Sequence, residues 1–187
     1  MPSIAKATWD DVAAVCLDEL EQQCRACSTT ANPNSVLLEE NLRAYVILLS
    51  GHFQAFCRDL YSECAIALAL SVPLPMKVAI QTQCLTRREL EKGNARSETL
   101  KIEFDRFGLN LAAEFALDAS NAPRLTHLDL LNKWRNFAAH RENSRPKAGT
   151  LDLPHLRTWR QSCGELAIEL ESIMYNYMAT LIGRKVW

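Results

Sequence analysis

The sequence predicts an all-α fold, and three observations carry that expectation. The chain of 187 residues holds only six glycines, apolar positions recur over long stretches at the 3.6-residue helical period, and hardly any run alternates as a half-buried strand would. With 48% hydrophobic residues the chain is long enough for one sizeable core, and residues 1–187 read as a single domain. About five to six helices are expected, connected as an up-and-down bundle.

The elements follow in order. Thr8 followed by Asp11 resembles an N-cap with a carboxylate at the third helical position, opening a helix that ends before Thr29-Thr30-Ala31-Asn32-Pro33. Ser35 is placed to cap a second helix, from about Val36 to Ser71, in which Leu38, Leu42, Tyr45, Leu49, Phe53, Phe56, Leu60 and Cys64 follow a three-four spacing. This is the expected central rod. Val72-Pro73-Leu74-Pro75 stops it, because proline lacks an amide donor and restricts the residue before it. A helix from about Met76 to Lys92 is expected next, then a break at Gly93-Asn94 and a shorter helix over Ser97 to Arg106. Phe107 to Pro123 reads as loop with one or two helical turns. Thr126 and Asp129 form a second apparent capping box that would start the next helix. A polar loop with Asn143, Ser144, Pro146 and Gly149 precedes the last helix, which Asp152 and Pro154 open. In that helix Leu156, Trp159, Cys163, Leu166, Leu170, Ile173, Tyr177 and Leu181 form a seam suited either to an antiparallel bundle or to a dimer.

Composition narrows the classes of function. Seven cysteines, an odd number mostly embedded in helical patterns, fit a reducing cytoplasm. Cys24-Arg25-Ala26-Cys27 has CxxC spacing, but no second CxxC or paired histidine motif accompanies it, so neither a metal nor another cofactor is expected. The apolar stretches are shorter than the roughly 18 to 20 residues that span a bilayer, and no membrane association is expected. No Walker-type glycine loop, HExxH pattern or Ser-His-Asp order appears. The net charge of −1 conceals a polarised distribution. Acidic residues prevail in the first forty positions, and Arg124, Lys133, Arg135, Arg141, Arg145 and Lys147 gather against only Asp129 and Glu142. Such polarity steers an anion towards one side of a fold.

Within that basic region, Trp134-Arg135-Asn136-Phe137-Ala138-Ala139-His140 carries the most chemistry. At about 100° per residue, Leu130, Leu131, Trp134, Phe137 and Ala138 share an arc of roughly 120°, the width of a buried stripe. Asn132, Asn136 and Ala139 fall opposite, with Arg135 and His140 on the two flanks, about 140° apart. An arginine, an amide and an imidazole suit holding a phosphate, orienting it and moving a proton. One straight helix keeps the arginine and histidine apart, so convergence requires the reach of Arg135, a frayed helix end or a second copy of the motif. The competing reading is a solvated surface with His140 favoured at a helix C-terminus by the macrodipole. His52 reads as a hydrogen-bonded packing residue, and His127 and His155 as surface or capping residues.

Arg135, Asn136 and His140 match the R-polar-x3-H form of the Rx4-6H motif of the HEPN superfamily. Val46-Ile47-Leu48-Leu49-Ser50-Gly51-His52-Phe53-Gln54-Ala55-Phe56-Cys57-Arg58-Asp59-Leu60 also resembles the second helix of HEPN proteins of the RiboL-PSP group. The two anchors stand in the family's order, and the implied layout covers most of the chain. The resemblance implies a helical bundle, a homodimer whose motif helices face each other, and a metal-independent endoribonuclease, in a toxin-antitoxin or phage-defence setting with an antitoxin protein as a further partner. It implies catalytic roles for Arg135, Asn136 and His140, while Lys133, Arg141 and Arg145 would track an RNA backbone. Two features depart from the pattern. Glu142 stands where HEPN toxins regulated by a partner nucleotidyltransferase often carry a tyrosine, and Gln54 stands where many relatives hold an acid. The alternatives are a noncatalytic HEPN-like module that binds RNA, a nucleotide or a protein, and a helical dimerisation module working through the Leu156 to Leu181 seam.

Overall fold

The computed structural model describes residues 1–29, 35–140 and 151–187. Four long rods dominate. The first comprises α1 (Ile4–Thr8), a π-helical turn at Trp9–Ala13 and α2 (Ala14–Thr29); the others are α3 (Ser35–Leu70), α8 (Asn121–His140) and α9 (Leu153–Ile182). Between α3 and α8 lie α4 (Leu74–Leu85), α5 (Glu89–Lys92), α6 (Ser97–Phe104), a 3-10 turn at Asp105–Phe107, and α7 (Leu111–Ala116). No strand occurs among the described residues.

Cross-helix pairs fix the directions of the rods. Arg43 lies over Phe137 and Ser50 meets Asn132, so α3 and α8 are antiparallel. Arg124 pairs with Glu165 and His127 with Ser162, so α8 and α9 are antiparallel as well. Asp18–Arg160 and Glu21–Arg157 set α2 against α9 in the same sense. The up-and-down bundle expected from the sequence is therefore present. At its centre α3 packs against every other rod, and Tyr45, Val46, Leu49, Phe53, Leu60, Tyr61 and Cys64 are sealed from solvent. Burying such side chains is the main stabilising term, about 1.5–3 kcal/mol for each large apolar group. The α9 seam closes this same core: Leu156, Trp159, Cys163, Leu166 and Leu170 are buried within the chain. Over this stretch the seam is a bundle seam, while Ile173 and Tyr177 are partly buried and Leu181 is 49% exposed.

Three helix boundaries differ from expectation, each because a distant side chain outweighs a local signal. The first helix starts at Ile4, not after Thr8. Ser3 caps it by accepting from Lys6 N at 3.0 Å, and Glu171 and Glu63, from α9 and α3, accept from the amides of Ser3 and Ala5 at 2.6 and 2.7 Å. Thr8 is helical and caps nothing. The Met76 to Lys92 helix is split, because the chain leaves α4 to bury Arg88. Arg87 adopts φ 53°, and the Arg88 guanidinium then reaches Glu103 at 3.2 Å, Ser62 Oγ at 3.0 Å and Arg58 O at 2.9 Å. Finally, Thr126 and Asp129 do not open α8, which begins five residues earlier at Asn121. Thr126 Oγ1 donates back to Ala122 O at 3.0 Å inside the helix, a common use of threonine there. The Asp129 carboxylate instead accepts from Ser97 N at 3.0 Å and Ser97 Oγ at 2.6 Å, fastening the start of α6 to α8. The Asp152 cap matches expectation, accepting from His155 N at 2.9 Å.

Candidate functional site

The motif residues occupy the last two turns of α8. Leu128, Leu131 and Trp134 anchor the helix in the core, and the Trp134 and Phe137 rings meet edge to face, with centroids 5.7 Å apart. Rings in that geometry add about 0.5–1.5 kcal/mol beyond area burial. Asn132 corrects the helical-wheel reading, which placed it on the outer face; it is 1% exposed. Its Nδ2 donates to Ala95 O at 2.8 Å and Leu128 O at 2.9 Å, while its Oδ1 accepts from Ser50 Oγ at 3.1 Å. The wheel assumed one buried side. In the bundle α8 is flanked by α3, α9, α6 and α7, so part of its polar face is interior too.

The segment between α5 and α6 forms a brace beside the motif. Gln54 on α3 holds its first part, its Nε2 donating to Leu90 O at 2.7 Å and Gly93 O at 2.8 Å. Asn94, almost fully buried, then donates from Nδ2 to Asn136 Oδ1 at 2.9 Å. Asn136 is thus oriented by a residue forty-two positions away, which leaves its Nδ2 as the amide's donor. Arg135 is partly buried, and its guanidinium makes one long bond of 3.4 Å to the same Asn136 Oδ1. No carboxylate of the described residues forms an ion pair with it. His140 is exposed on the final helical turn. The last turns of α8 therefore carry a cation with open donors among the described residues, an amide held in orientation and, on the other flank, an accessible imidazole. These are groups for binding an oxyanion and transferring a proton.

Lys133 is exposed on the same helix, whereas Arg141 and Arg145, and with them Glu142, lie outside the described residues. Gln54 accounts for its own departure from the acidic pattern: a carboxylate there has no hydrogen to donate to two carbonyls. Asn94, Ser50 and Asp129 position the site and were not singled out by the sequence. Their partners lie 32 to 82 residues away, and only the expected break at Gly93-Asn94 hinted that this segment mattered.

The other histidines serve packing and capping. His127 Nδ1 meets Ser162 Oγ at 2.8 Å, tying α8 to α9, and His155 Nδ1 lies 2.7 Å from the capping carboxylate of Asp152. His52 packs beside Ala5, Thr8 and Trp9, with no hydrogen-bond partner for its buried Nε2 among the described residues. Burial pulls its pKa below the ordinary histidine value. The CxxC pair forms no disulfide, and burial pushes the Cys24 thiol up to about 11. Among the described residues no group of three or more His, Cys, Asp or Glu is placed to hold a metal ion, and no helix is long and apolar enough to cross a membrane.

A family model, RiboL-PSP-HEPN, matches residues 15–176. The chain belongs to the RiboL-PSP-HEPN family. The match runs from α2 into α9 and includes both the α3 rod and the whole Arg135–His140 motif, so the residues just described occupy the part of the chain that defines it as a HEPN protein. Neither a curated protein nor a solved structure matches it. Within this HEPN bundle the motif helix is held from two sides, by Ser50 on α3 and by the brace at Asn94-Ala95, and its C-terminal end projects the histidine outward.

Proposed function

We propose that this HEPN protein is a metal-independent endoribonuclease that cleaves RNA at a composite site formed by two copies of the chain. The observation that supports this reading best is the exposed end of α8, where His140 and the uncommitted donors of Arg135 flank an amide that Asn94 holds in place. Arg135 and His140 remain about 140° apart around one helix. A two-fold axis beside α8 would bring two arginines and two histidines into one cleft, an economical isologous solution. Ile47, Leu48 and Gly51 offer a seat for the second copy. They are exposed on α3 at the level where Arg43–Phe137 and Ser50–Asn132 bracket Arg135, and beyond its own helix no described residue comes within 4 Å of where a Gly51 Cβ would be.

In the proposed reaction the 2′-oxygen of one ribose attacks the adjacent phosphorus. One imidazole, as general base, takes the 2′-hydroxyl proton while the P–O2′ bond forms. The P–O5′ bond breaks, and the departing 5′-oxygen receives a proton from the second, protonated imidazole. The products are a 2′,3′-cyclic phosphate and a 5′-hydroxyl. DNA lacks the nucleophile and is not a substrate. Arg135 holds the non-bridging oxygens through its planar fork and stabilises their growing charge, with Asn136 Nδ2 as a neighbouring donor. Lys133, Arg141 and Arg145 track the backbone and give the affinity a salt dependence. A cytoplasmic toxin or phage-defence effector, restrained by an antitoxin protein, is the setting this activity suits.

The test is incubation of purified protein with RNA in excess EDTA, followed by analysis of the ends. Cleavage leaving 2′,3′-cyclic phosphates is the expected result. No cleavage, or cleavage that survives both His140→Ala and Arg135→Ala, overturns the assignment.

A further inference from the structure

Beside the motif, on the side away from Arg135, lies a cavity of about 270 Å³ lined by Leu38, Glu39, Leu42, Arg43, Trp134, Phe137 and Leu151. Its volume sits just under the roughly 300–1,000 Å³ of pockets that enclose drug-sized molecules, a suitable size for one heterocyclic base. Leu42, Trp134 and Phe137 supply apolar and aromatic walls. The Arg43 guanidinium lies over the Phe137 ring at 5.8 Å from its centroid, a flat cation on a flat ring. Glu39 accepts from Arg43 Nη2 at 2.7 Å, which holds carboxylate and guanidinium side by side at the rim. Arg43 Nε is buried and has no hydrogen-bond partner among the described residues.

We infer that this cavity is a guanine-binding subsite of the ribonuclease, receiving the base of a nucleotide next to the scissile phosphate. The inference rests on the ribonuclease reading for its place in the reaction, but its chemistry is separate. A carboxylate in the wall repels a phosphate, so the ligand is a base rather than the backbone. Single-stranded RNA is recognised by stacking bases on aromatic rings or arginine planes and by hydrogen bonds to their Watson–Crick edges. Guanine alone offers two adjacent donors, N1–H and N2–H, to the two oxygens of Glu39. A carboxylate accepts several bonds at once, so the contact to Arg43 does not preclude these. Guanine O6 is then the acceptor for the unmet Arg43 donor after a small rotation of the guanidinium. Adenine turns an acceptor towards Glu39, and uracil and cytosine each present one donor where guanine has two.

Location connects the pocket to the chemistry. Phe137 and His140 are three residues apart, so they lie about 60° apart around α8 and about 4.5 Å along it. Phe137 and Arg135 are about 160° apart. A base resting against Phe137 therefore places its own sugar-phosphate near the imidazole.

The test compares cleavage at otherwise identical RNA sites differing in one base. The wild type is expected to favour guanosine, and inosine, which lacks the N2 amine, to lower the rate about tenfold, the worth of one charge-assisted hydrogen bond. Glu39→Gln is expected to collapse the guanosine-to-adenosine ratio. The ratio is its own control, since a structural defect slows all sites alike. Equal rates at all four bases, or a guanosine preference that survives both inosine and Glu39→Gln, overturn the inference while leaving the ribonuclease reading intact. If the wild type cuts no RNA, that reading fails, and titration of the protein with GMP and AMP decides the inference alone: tighter GMP binding that weakens in Glu39→Gln supports it, and equal or absent binding overturns it.

Discussion

Arg88 and Arg135 are both arginines held in the helical bundle, and the chain treats them in opposite ways. Arg88 is enclosed by Glu103, Ser62 and the Arg58 carbonyl, with the Tyr61 ring 4.7 Å beneath its guanidinium. Its partner Glu103 is fully buried and accepts as well from the amide of Glu89 at 2.6 Å, so the pair also starts α5. Among the described residues Arg135 has one long bond, to its neighbour, and open donors. A charge whose bonding capacity is filled by its own chain fixes shape. One left unfilled at a surface, beside an accessible imidazole, is available to a ligand.

The sharpest way to break this comparison is to remove each group and read activity and stability separately. His140→Ala is expected to lower kcat/KM for RNA by about 10²–10⁴-fold, the usual share of a general acid-base group, and Arg135→Ala by about 10²–10³-fold. Both should unfold within about 0.5 kcal/mol of the wild type, as exposed or weakly bonded positions do. Glu103→Ala should do the reverse. It removes the buried partner of Arg88, leaving the exposed Glu91 at 3.6 Å as its remaining carboxylate among the described residues, and is expected to cost about 3–5 kcal/mol, read from the urea midpoint, with RNA cleavage per folded molecule retained. A stable Glu103→Ala protein, or an unfolded His140→Ala protein, would erase the distinction.

The same contrast explains how much was legible beforehand. The rods, their order and the core positions of α3 and α9 follow from spacing, because burying a stripe is a local demand repeated every three or four residues. Arg135 and His140 were legible from residue type and spacing together with the family resemblance. Asn132 was misplaced because a helical wheel knows one helix, not its several neighbours. Asn94 and the second role of Asp129 were invisible, since their bonds join segments 42 and 32 residues apart. Capping signals failed for a related reason: Thr8 and Thr126 are competent caps, but carboxylates and burial elsewhere fixed the helix starts.

A smaller effect is expected between those two extremes, at the brace. Gln54→Glu replaces a donor to two carbonyls with an acceptor, and should cost about 1–3 kcal/mol of stability. Releasing Gly93 also loosens Asn94, and with it the orientation of Asn136, so cleavage should fall several-fold with the Arg135 donors intact. Urea titration together with cleavage rates checks this, and an unchanged rate in a destabilised variant would show that the brace serves the fold alone.

The smallest effect sets His52 against His140, a packed ring against an exposed one. Burial lowers the His52 pKa in the folded protein below its ordinary value of 6.5, even though Asp59 lines the same small cavity. The unfolded chain then binds the proton more readily, so stability rises with pH through this window. The contribution is complete above about pH 6.5 and is lost as pH falls towards the lowered folded-state value. Thermal unfolding at pH 8, 6.5 and 5 should therefore show a falling midpoint in acid that His52→Gln reduces. His140→Gln should instead remove the cleavage. If His52→Gln melts with the same acid slope as the wild type, the buried ring is not the source, and the neutral imidazole under the π-helical turn contributes packing without any coupling to pH.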